Sequence, residues 1–92
     1  MFKIKAKKNT LKFLRKLSKG RRSKVKEVIA VLKSDPIPFR RLDVVKLRGH
    51  ENIYRIRIGN LRIIYEVNWE DRIIVIHFIG SRKKAYRCSL KL

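Results

Sequence analysis

The apolar positions of the first third of the chain recur at the spacing of α-helices. Two such sets are present: Leu11, Leu14 and Leu17, and then Val25, Val28, Ile29 and Leu32. The first set is spaced i, i+3, i+6 and the second i, i+3, i+4, i+7, so each predicts one amphipathic helix. Asn9 or Thr10 is a suitable N-cap for the first helix, and Gly20 a suitable end. We therefore expect two helices in succession.

A proline-rich segment ends the second helix, and an alternating segment precedes the first. Pro36 and Pro38 lack the N–H that a helix needs, and each disfavours helical backbone in the residue before it. Residues 2–5 alternate apolar and basic side chains, which favours a short strand. The first half of the chain is thus predicted to run strand, helix, helix.

From Val44 onward the apolar pattern changes to the period of two that is typical of β-strands. Residues 44–47 form a strand candidate before the turn Arg48-Gly49-His50, and residues 53–58, 61–67 and 72–79 follow. The last segment is the most apolar and is expected to be central. We predict an α+β fold of order β-α-α-β-β-β, with two N-terminal helices packed on an antiparallel-rich four-stranded sheet.

The pair Gly59-Asn60 is a two-residue hairpin signal that sets which residues share a face. With these two as the loop, Arg57 lies opposite Arg62. The helix-covered face then holds Tyr54, Ile56, Ile58, Leu61, Ile63 and Tyr65. The other face, here named the arginine face, holds Arg55, Arg57, Arg62 and Ile64. Continued into the last strand, the alternation puts Ile73, Val75, His77 and Ile79 on the arginine face, with His77 near Arg62 or one pair further along.

The length and the charge of the chain exclude some classes of function and favour others. The chain of 92 residues fits one domain, residues 1–92, and excludes a multidomain enzyme. Lys and Arg number 26 against 7 Asp and Glu, a net charge of +19, and residues 1–26 contain no acidic residue. Such charge destabilises the compact state by self-repulsion and favours a polyanionic partner, nucleic acid first.

From other features of the sequence we expect a cytoplasmic protein. The N-terminus lacks a signal-peptide pattern, and no apolar run is long enough to span a membrane. Cys88 is the single cysteine and has no neighbours at metal-ligand spacing. We expect no disulfide, no metal, no small-molecule cofactor and no membrane partner.

Two basic clusters are the candidates for chemistry. Arg57 facing Arg62 costs stability, because like charges directly opposite each other repel. These arginines are either ordinary solvent-facing residues of a half-exposed sheet or a phosphate site, since guanidinium groups bind phosphate bidentately. Residues 80–87 form a basic tail around Tyr86, which is either a frayed terminus or a single-stranded nucleic-acid site in which tyrosine stacks on a base.

Three stretches resemble the RelE-like toxins of the RelE/ParE superfamily, the archaeal members most of all. They are Lys46-Leu47-Arg48-Gly49, the run YRIRIGNLRIIY from Tyr54 to Tyr65, and the tail from Arg82 to Arg87. Together with the order of elements, the resemblance covers nearly the whole chain. It implies a microbial-RNase-like fold and the toxin of a type II toxin–antitoxin system. The implied activity is ribosome-dependent cleavage of mRNA in the A site, blocked by a RelB-like antitoxin.

By motif position, the resemblance implies catalytic roles for Arg55, Arg57, Arg62, Arg82 and Tyr86. The basic residues Lys46, Arg48, Lys83, Lys84 and Arg87 are expected to bind RNA. Many relatives carry a histidine where this chain has Ser81, so the general base is open between Tyr86 and His77. The implied enzyme is a metal-independent endoribonuclease.

Two other functions stay open at the level of sequence. A ParE-like toxin has the same fold but poisons DNA gyrase, and the basic residues kept at the sheet positions and at Arg82 favour the RNase branch. A non-catalytic basic nucleic-acid-binding module also fits the cationic helices. It predicts binding with a steep salt dependence and no cleavage.

Overall fold

A five-stranded mixed sheet with helices on both faces forms the framework of the molecule. The computed structural model describes residues 1–92. Its elements are β1 (Lys3–Ala6), α1 (Lys8–Lys16), α2 (Lys19–Ser34), β2 (Asp43–Lys46), β3 (Ile53–Ile58), β4 (Leu61–Asn68), β5 (Ile73–Ser81) and α3 (Arg82–Lys91). The strand order is β1-β5-β4-β3-β2; β1 is parallel to β5, and the other pairs are antiparallel.

The α+β class and the two helices before the β-meander are confirmed, but the four-stranded sheet is wrong. The short strand candidate at residues 44–47 pairs with β3 as the edge strand β2, which makes five strands. The central strand is β4 rather than the last strand, because β1 returns to pair with β5 on its outer side. A third helix, α3, was not predicted.

The helix boundaries differ from the predicted ones because a serine begins α2. The backbone of Leu17 is extended and ends α1, and the Ser18 hydroxyl accepts a hydrogen bond from the Arg21 N–H at 3.4 Å. Gly20 therefore lies in the first turn of α2 and does not end α1. Thr10 lies inside α1 and is not its N-cap; its hydroxyl donates to the Lys7 carbonyl at 2.6 Å. Leu11 is exposed rather than in the core.

Arg22 joins the two helices. Its guanidinium donates to the carbonyl oxygens of Leu14, Arg15 and Leu17 at 3.1–3.2 Å. These carbonyls stand at the C-terminal end of α1, where a helix has acceptors without intrahelical partners. A cation at this end also interacts favourably with the helix dipole. Arg22 therefore substitutes for the glycine stop that the sequence suggested.

The main core lies between α1, α2 and one face of the sheet. The register of the β3–β4 hairpin is confirmed, with Arg57 opposite Arg62 and Ile56 opposite Ile63. The buried side chains of this core are Leu17, Val25, Val28, Leu32, Val44, Tyr54, Ile56, Leu61, Ile63, Tyr65, Val67, Ile74, Ile76 and Ile79. At its centre the ring of Tyr65 stacks on Tyr54, with ring centroids 5.7 Å apart.

Tyr65 also ties the α2–β2 connection to the sheet, which leads to a stability prediction. Its hydroxyl donates to the Pro36 carbonyl at 2.8 Å, and burial raises the pKa of Tyr65 well above its ordinary value. Tyr65→Phe should cost about 1–2 kcal/mol of unfolding free energy at neutral pH, since the Pro36 oxygen loses its donor. Above about pH 10 the unfolded chain ionises this phenol and the folded state does not, so stability falls as pH rises.

Urea unfolding of the wild type and of Tyr65→Phe, at neutral pH and at high pH, checks this prediction. The variant lacks the titrating group, so its stability should fall less steeply with rising pH. Equal slopes for the two proteins would contradict the role assigned to the phenol.

A β-bulge in β5 changes the faces predicted for the last strand. Ile64 pairs with Phe78 and Tyr65 with Ile76, so His77 is the extra residue. Beyond the bulge Ile79 turns into the main core, and the prediction that it lies on the arginine face is wrong. The register beyond the bulge puts Gly80, not His77, opposite Arg62. Gly80 also lies within β5 and does not end it.

The arginine face is partly covered by α3. A second buried cluster contains Ile53, Ile64 and Ala85, with Leu47, Phe78 and Cys88 packed against it. The tail is thus an ordered helix docked on the sheet rather than a frayed terminus. Ser81 begins this helix, its hydroxyl accepting a hydrogen bond from the Lys84 N–H at 3.3 Å. None of the three helices is long and apolar enough to cross a membrane.

Candidate active-site cleft

A small cleft opens on the arginine face where α3 crosses the sheet. Its volume is about 160 Å³, and the side chains that line it are those of Leu47, Arg55, Arg62, Arg82, Ala85, Tyr86 and Ser89. Arg55 comes from β3 and Arg62 from β4, while Arg82 and Tyr86 lie one helical turn apart on α3. Four of the five residues expected to be catalytic therefore meet in one place.

Arg62 forms the floor of this cleft. Only 8% of the residue is exposed, and its Nη1 donates to the carbonyl oxygens of Gly59 and Leu61 at 2.9 and 3.0 Å. Burial lowers the pKa of Arg62, and the nearby guanidinium groups of Arg55, Arg57 and Arg82 lower it further. Carbonyl oxygens hold the side chain in place but leave its charge uncompensated. A buried cation of this kind is stabilised by an anion entering the cleft.

Arg57 is the expected catalytic residue that the structure does not bring into the cleft. Its Nε lies 2.7 Å from Oδ2 of Asp43, the residue opposite it on β2, and both side chains are about half exposed. An ion pair with this exposure contributes between nothing and about 1 kcal/mol to stability. It does, however, give Arg57 a carboxylate partner that none of the cleft arginines has.

The position of Arg57 leads to a prediction for the candidate enzyme. Arg57→Ala should lower RNA cleavage by less than about tenfold, well below the roughly 100-fold or greater loss expected when a residue that binds the transition state is removed. Measuring cleavage rates on translating ribosomes for Arg57→Ala and Arg55→Ala side by side checks this. A larger loss for Arg57→Ala than for Arg55→Ala would contradict it.

None of the residues expected to bind RNA lines the cleft. Arg48 is exposed in the turn after Leu47, and Lys83, Lys84 and Arg87 are exposed on α3. Lys46 pairs with Tyr54, so it shares the helix-covered side of the sheet and lies at its edge. Four of these five basic residues thus stand on the elements that form the cleft rim, and Lys46 faces the other side.

His77 lies outside the cleft. Its Nε2 is 2.8 Å from Oε1 of Glu66, its side chain is 12% exposed, and its Nδ1 is buried without a partner. The bulge places this pair away from Arg62. Ser81 acts as the N-cap of α3. Of the two candidate general bases, only Tyr86 lines the cleft.

Leu47, Ala85 and Ser89 line the cleft and were missed as site residues. The signal for the last two was present in the sequence, because Ser81 is a suitable N-cap and Ala85, Cys88 and Ser89 follow at i, i+3, i+4. Leu47 belongs to the stretch Lys46-Leu47-Arg48-Gly49, but it has no polar group that would indicate a role in a site. Its side chain, together with those of Ala85 and Tyr86, gives the cleft an apolar part beside the three arginines.

The composition of the cleft determines which ligands it can hold. Its three guanidinium groups suit a phosphate, and its Tyr86 side chain, which is 67% exposed, is available to stack on a base. It contains no carboxylate or imidazole that could bind a cation. Nowhere in the chain are three or more His, Cys, Asp or Glu side chains grouped so that they could hold a metal ion.

Comparisons with known proteins agree with this architecture. Residues 2–86 match the family described as ParE toxin of type II toxin–antitoxin system, parDE. RelE1 of Methanocaldococcus jannaschii is 42% identical over 86 residues, which cover 94% of this chain and 96% of RelE1. Among solved structures, the archaeal RelE–RelB complex from Pyrococcus horikoshii OT3 aligns with a TM-score of 0.81 and 35% identity, covering 88% of this chain and 94% of that chain.

A second archaeal structure is also similar. The RelB–RelE antitoxin–toxin complex from Methanococcus jannaschii aligns with a TM-score of 0.72 and 30% identity, covering 90% of this chain and 95% of that chain. The family match over residues 2–86 includes every element of the fold except the last residues of α3. The chain therefore belongs to the RelE/ParE superfamily of type II toxins, as a homologue of the archaeal RelE proteins.

Proposed function

We propose that this protein is a ribosome-dependent endoribonuclease that cleaves mRNA in the A site and so stops translation in the cytoplasm. The observation that carries the proposal is the cleft itself, in which Arg55, Arg62, Arg82 and Tyr86 meet with no carboxylate to neutralise them. Membership of the RelE-like toxins supports the same function.

In the proposed reaction the ribose 2′-oxygen attacks the adjacent phosphorus. A 2′-O–P bond forms and the bond from phosphorus to the 5′-oxygen breaks, which leaves a 2′,3′-cyclic phosphate and a 5′-hydroxyl. Negative charge increases on the phosphoryl oxygens in the transition state. Arg62, fixed by two carbonyl oxygens, and the adjacent Arg55 and Arg82 stabilise this charge with little reorganisation.

The cleft is less well equipped for proton transfer than for stabilising negative charge. The 2′-hydroxyl must lose a proton and the 5′-oxygen must gain one, and Tyr86 is the one cleft side chain that can exchange a proton with either. Arginine does not lose its proton in the accessible pH range, and a phenol is a poor base at neutral pH. Cleavage then depends on how well the substrate is oriented, which can contribute several kcal/mol to lowering the barrier. A ribosome that holds the mRNA in the cleft would provide this orientation.

Cleavage assays with and without ribosomes test the proposal. Purified protein should cut mRNA on translating ribosomes at defined positions, which mapping of the new 5′ ends would show. The same RNA without ribosomes should be bound but cut poorly. Equal cutting of naked RNA in physiological salt would argue against ribosome dependence. Growth arrest with intact mRNA and inhibited DNA supercoiling would instead support a ParE-like poison of DNA gyrase. Salt-sensitive RNA binding with neither activity would support a plain binding module.

We further infer that a RelB-like antitoxin holds this toxin inactive. The two archaeal RelE structures that resemble this chain are complexes with RelB. An acidic partner that folds as it binds can cover both the cationic helices and the cleft. Its association rate with this chain should fall as salt rises, while dissociation should change far less because apolar contacts hold the complex. Stopped-flow binding over a salt series, with translation arrest measured in parallel, tests this partner.

A further inference from the structure

The connection between α2 and β2, residues 35–42, is held rigidly. The Asp35 carboxylate accepts a hydrogen bond from the Ile37 N–H at 3.3 Å, and the Tyr65 hydroxyl donates to the Pro36 carbonyl at 2.8 Å. The Pro38 side chain is fully buried, and its carbonyl accepts from two backbone N–H groups farther along the turn. The conformation of this segment is therefore set before any partner binds.

This rigid turn presents an aromatic ring to solvent beside two arginines. Phe39 is 63% exposed, and Arg40 and Arg41 are both exposed. Neither arginine side chain forms an ion pair or a hydrogen bond within the chain. Burying a phenylalanine contributes roughly 1.5–3 kcal/mol, so an ordered turn that leaves one outside forgoes that stabilisation. Nothing within the fold requires these three side chains in this place.

The turn is separate from the cleft and borders a second groove. Arg41 lines a groove of about 380 Å³ together with Lys24 and Arg57, and none of the residues that line the cleft takes part in it. The two acidic residues in the groove are Asp43, which is paired with Arg57, and Glu27. Of the three basic residues of the groove, Arg57 is paired with Asp43, so Arg41 and Lys24 are the ones that form no ion pair.

We propose that Phe39, Arg40 and Arg41 form a second binding site for single-stranded nucleic acid, distinct from the catalytic cleft. Phe39 stacks on one unpaired base, and the two arginines bind the flanking phosphates. An aromatic ring within a basic surface has the composition that single-stranded nucleic acid requires. Because the turn is already ordered, binding costs little conformational entropy. In a toxin that acts on RNA, such a site would hold the strand at a second point.

The charges favour a nucleic acid over a protein as the occupant. A protein that takes up Phe39 would bury it among apolar side chains, whereas the two residues that follow Phe39, Arg40 and Arg41, both carry exposed guanidinium groups. Those groups bind phosphate bidentately, and arginine can also stack on a base. An acidic protein segment is the competing occupant, and leucine in place of Phe39 separates the two. Leucine preserves an apolar anchor, but it has no ring on which a base can stack.

Fluorescence anisotropy with a short single-stranded 2′-O-methyl RNA tests the proposal on the full chain. This probe cannot be cut by its own 2′-oxygen, so binding is measured apart from cleavage. Phe39→Ala and Phe39→Leu should each weaken binding by about 5- to 150-fold, the range expected for one stacked base. Phe39→Trp should bind at least as well as wild type. Leu11→Ala removes an exposed apolar side chain on α1 and should have no effect.

The salt dependence of binding distinguishes the contribution of the Phe39 ring from that of the two arginines. Arg40→Gln/Arg41→Gln should lower the slope of log K against log salt by about 1.4, since each phosphate contact to a single strand contributes about 0.7. Phe39→Ala should leave the slope unchanged. With Trp69 replaced by phenylalanine, the tryptophan of Phe39→Trp is the only one in the chain, and its fluorescence should be quenched by the RNA. Single-stranded DNA of the same sequence should behave similarly, and duplex RNA should be insensitive to Phe39→Ala.

Three results would overturn the site. One is wild-type binding by Phe39→Ala with unquenched fluorescence of Phe39→Trp. Another is full binding by Phe39→Leu, which shows that no stacking is involved. The third is a Phe39→Ala variant that binds an acidic protein partner more weakly but binds RNA as well as wild type does. Because the probe is not cleaved, a protein that binds through Phe39 but fails to cut mRNA would refute only the proposed endoribonuclease.

Discussion

Arg62→Ala is expected to reduce mRNA cleavage on the ribosome by about 100- to 1000-fold, the cost of removing one fixed donor to a developing oxyanion. The reason is the fixed position of Arg62 at the floor of the cleft, where two backbone carbonyls orient its guanidinium before substrate arrives. Arg62→Lys should recover only part of the activity, because an ammonium group lacks the planar fork that binds phosphate bidentately. Single-turnover cleavage on stalled ribosomes measures both variants.

The fold should tolerate the loss of this arginine. Arg62 is buried among Arg55, Arg57 and Arg82, and burial together with these cations already lowers its pKa, so the folded state disfavours the charge. Arg62→Met keeps most of the volume and should be at least as stable as wild type in the absence of polyanions. Arg15→Ala, on α1 and outside the cleft, is the matched control and should keep near-normal activity. Activity lost together with the native fold, or wild-type cleavage by Arg62→Ala, would refute the catalytic role.

Ala85→Arg is expected to abolish cleavage by detaching α3 from the sheet. Ala85 is 2% exposed and packs against Ile53 and Ile64, so an arginine cannot be accommodated there without moving the helix. Arg82 and Tyr86 would leave the cleft with α3, and activity should fall by at least about 100-fold. Because the substitution adds a positive charge, weaker attraction to RNA cannot explain the loss.

The main core should survive this change. Detachment exposes the two isoleucines under α3, each worth roughly 1.5–3 kcal/mol when fully buried, but leaves the helix-covered face of the sheet untouched. Leu90→Arg is the matched control, since it adds the same side chain to the same helix at a residue that is 70% exposed. Amide hydrogen exchange should show fast exchange confined to α3 in Ala85→Arg and normal protection in Leu90→Arg. Normal protection of α3 in an inactive Ala85→Arg would contradict the mechanism.

The parts of the fold that could be predicted are those governed by neighbouring residues. Gly59-Asn60, flanked by alternating side chains, was sufficient to place Arg57 opposite Arg62, because a two-residue loop leaves one register. The same holds for α2, whose buried Val25, Val28 and Leu32 follow helical spacing. Leu11 shows the limit of this reasoning. Its spacing fits an apolar stripe, but the orientation of α1 on the sheet leaves it 47% exposed.

Features that depend on distant segments were missed. The bulge at His77 reverses the faces beyond it, and no local signal distinguishes it from continued alternation. The sequence marks residues 44–47 as a strand candidate, but it does not show that they join the sheet as the edge strand β2. Its four residues become a strand only through pairing with β3. The apolar stripe of residues 82–91 is too short to predict the helix α3, which is stabilised by its docking on Ile53 and Ile64.

By itself the sequence determined the class of fold, the hairpin register and the strong positive charge, and it named four of the seven residues that line the candidate cleft. Only the tertiary structure decided which of these residues meet. Arg55, Arg62, Arg82 and Tyr86 lie together because α3 crosses the arginine face, whereas Arg57 is paired with Asp43. The physical reason is that local patterns assign a side chain to one face of an element. Its partners on that face come from β2 and α3, whose packing depends on contacts between distant parts of the chain.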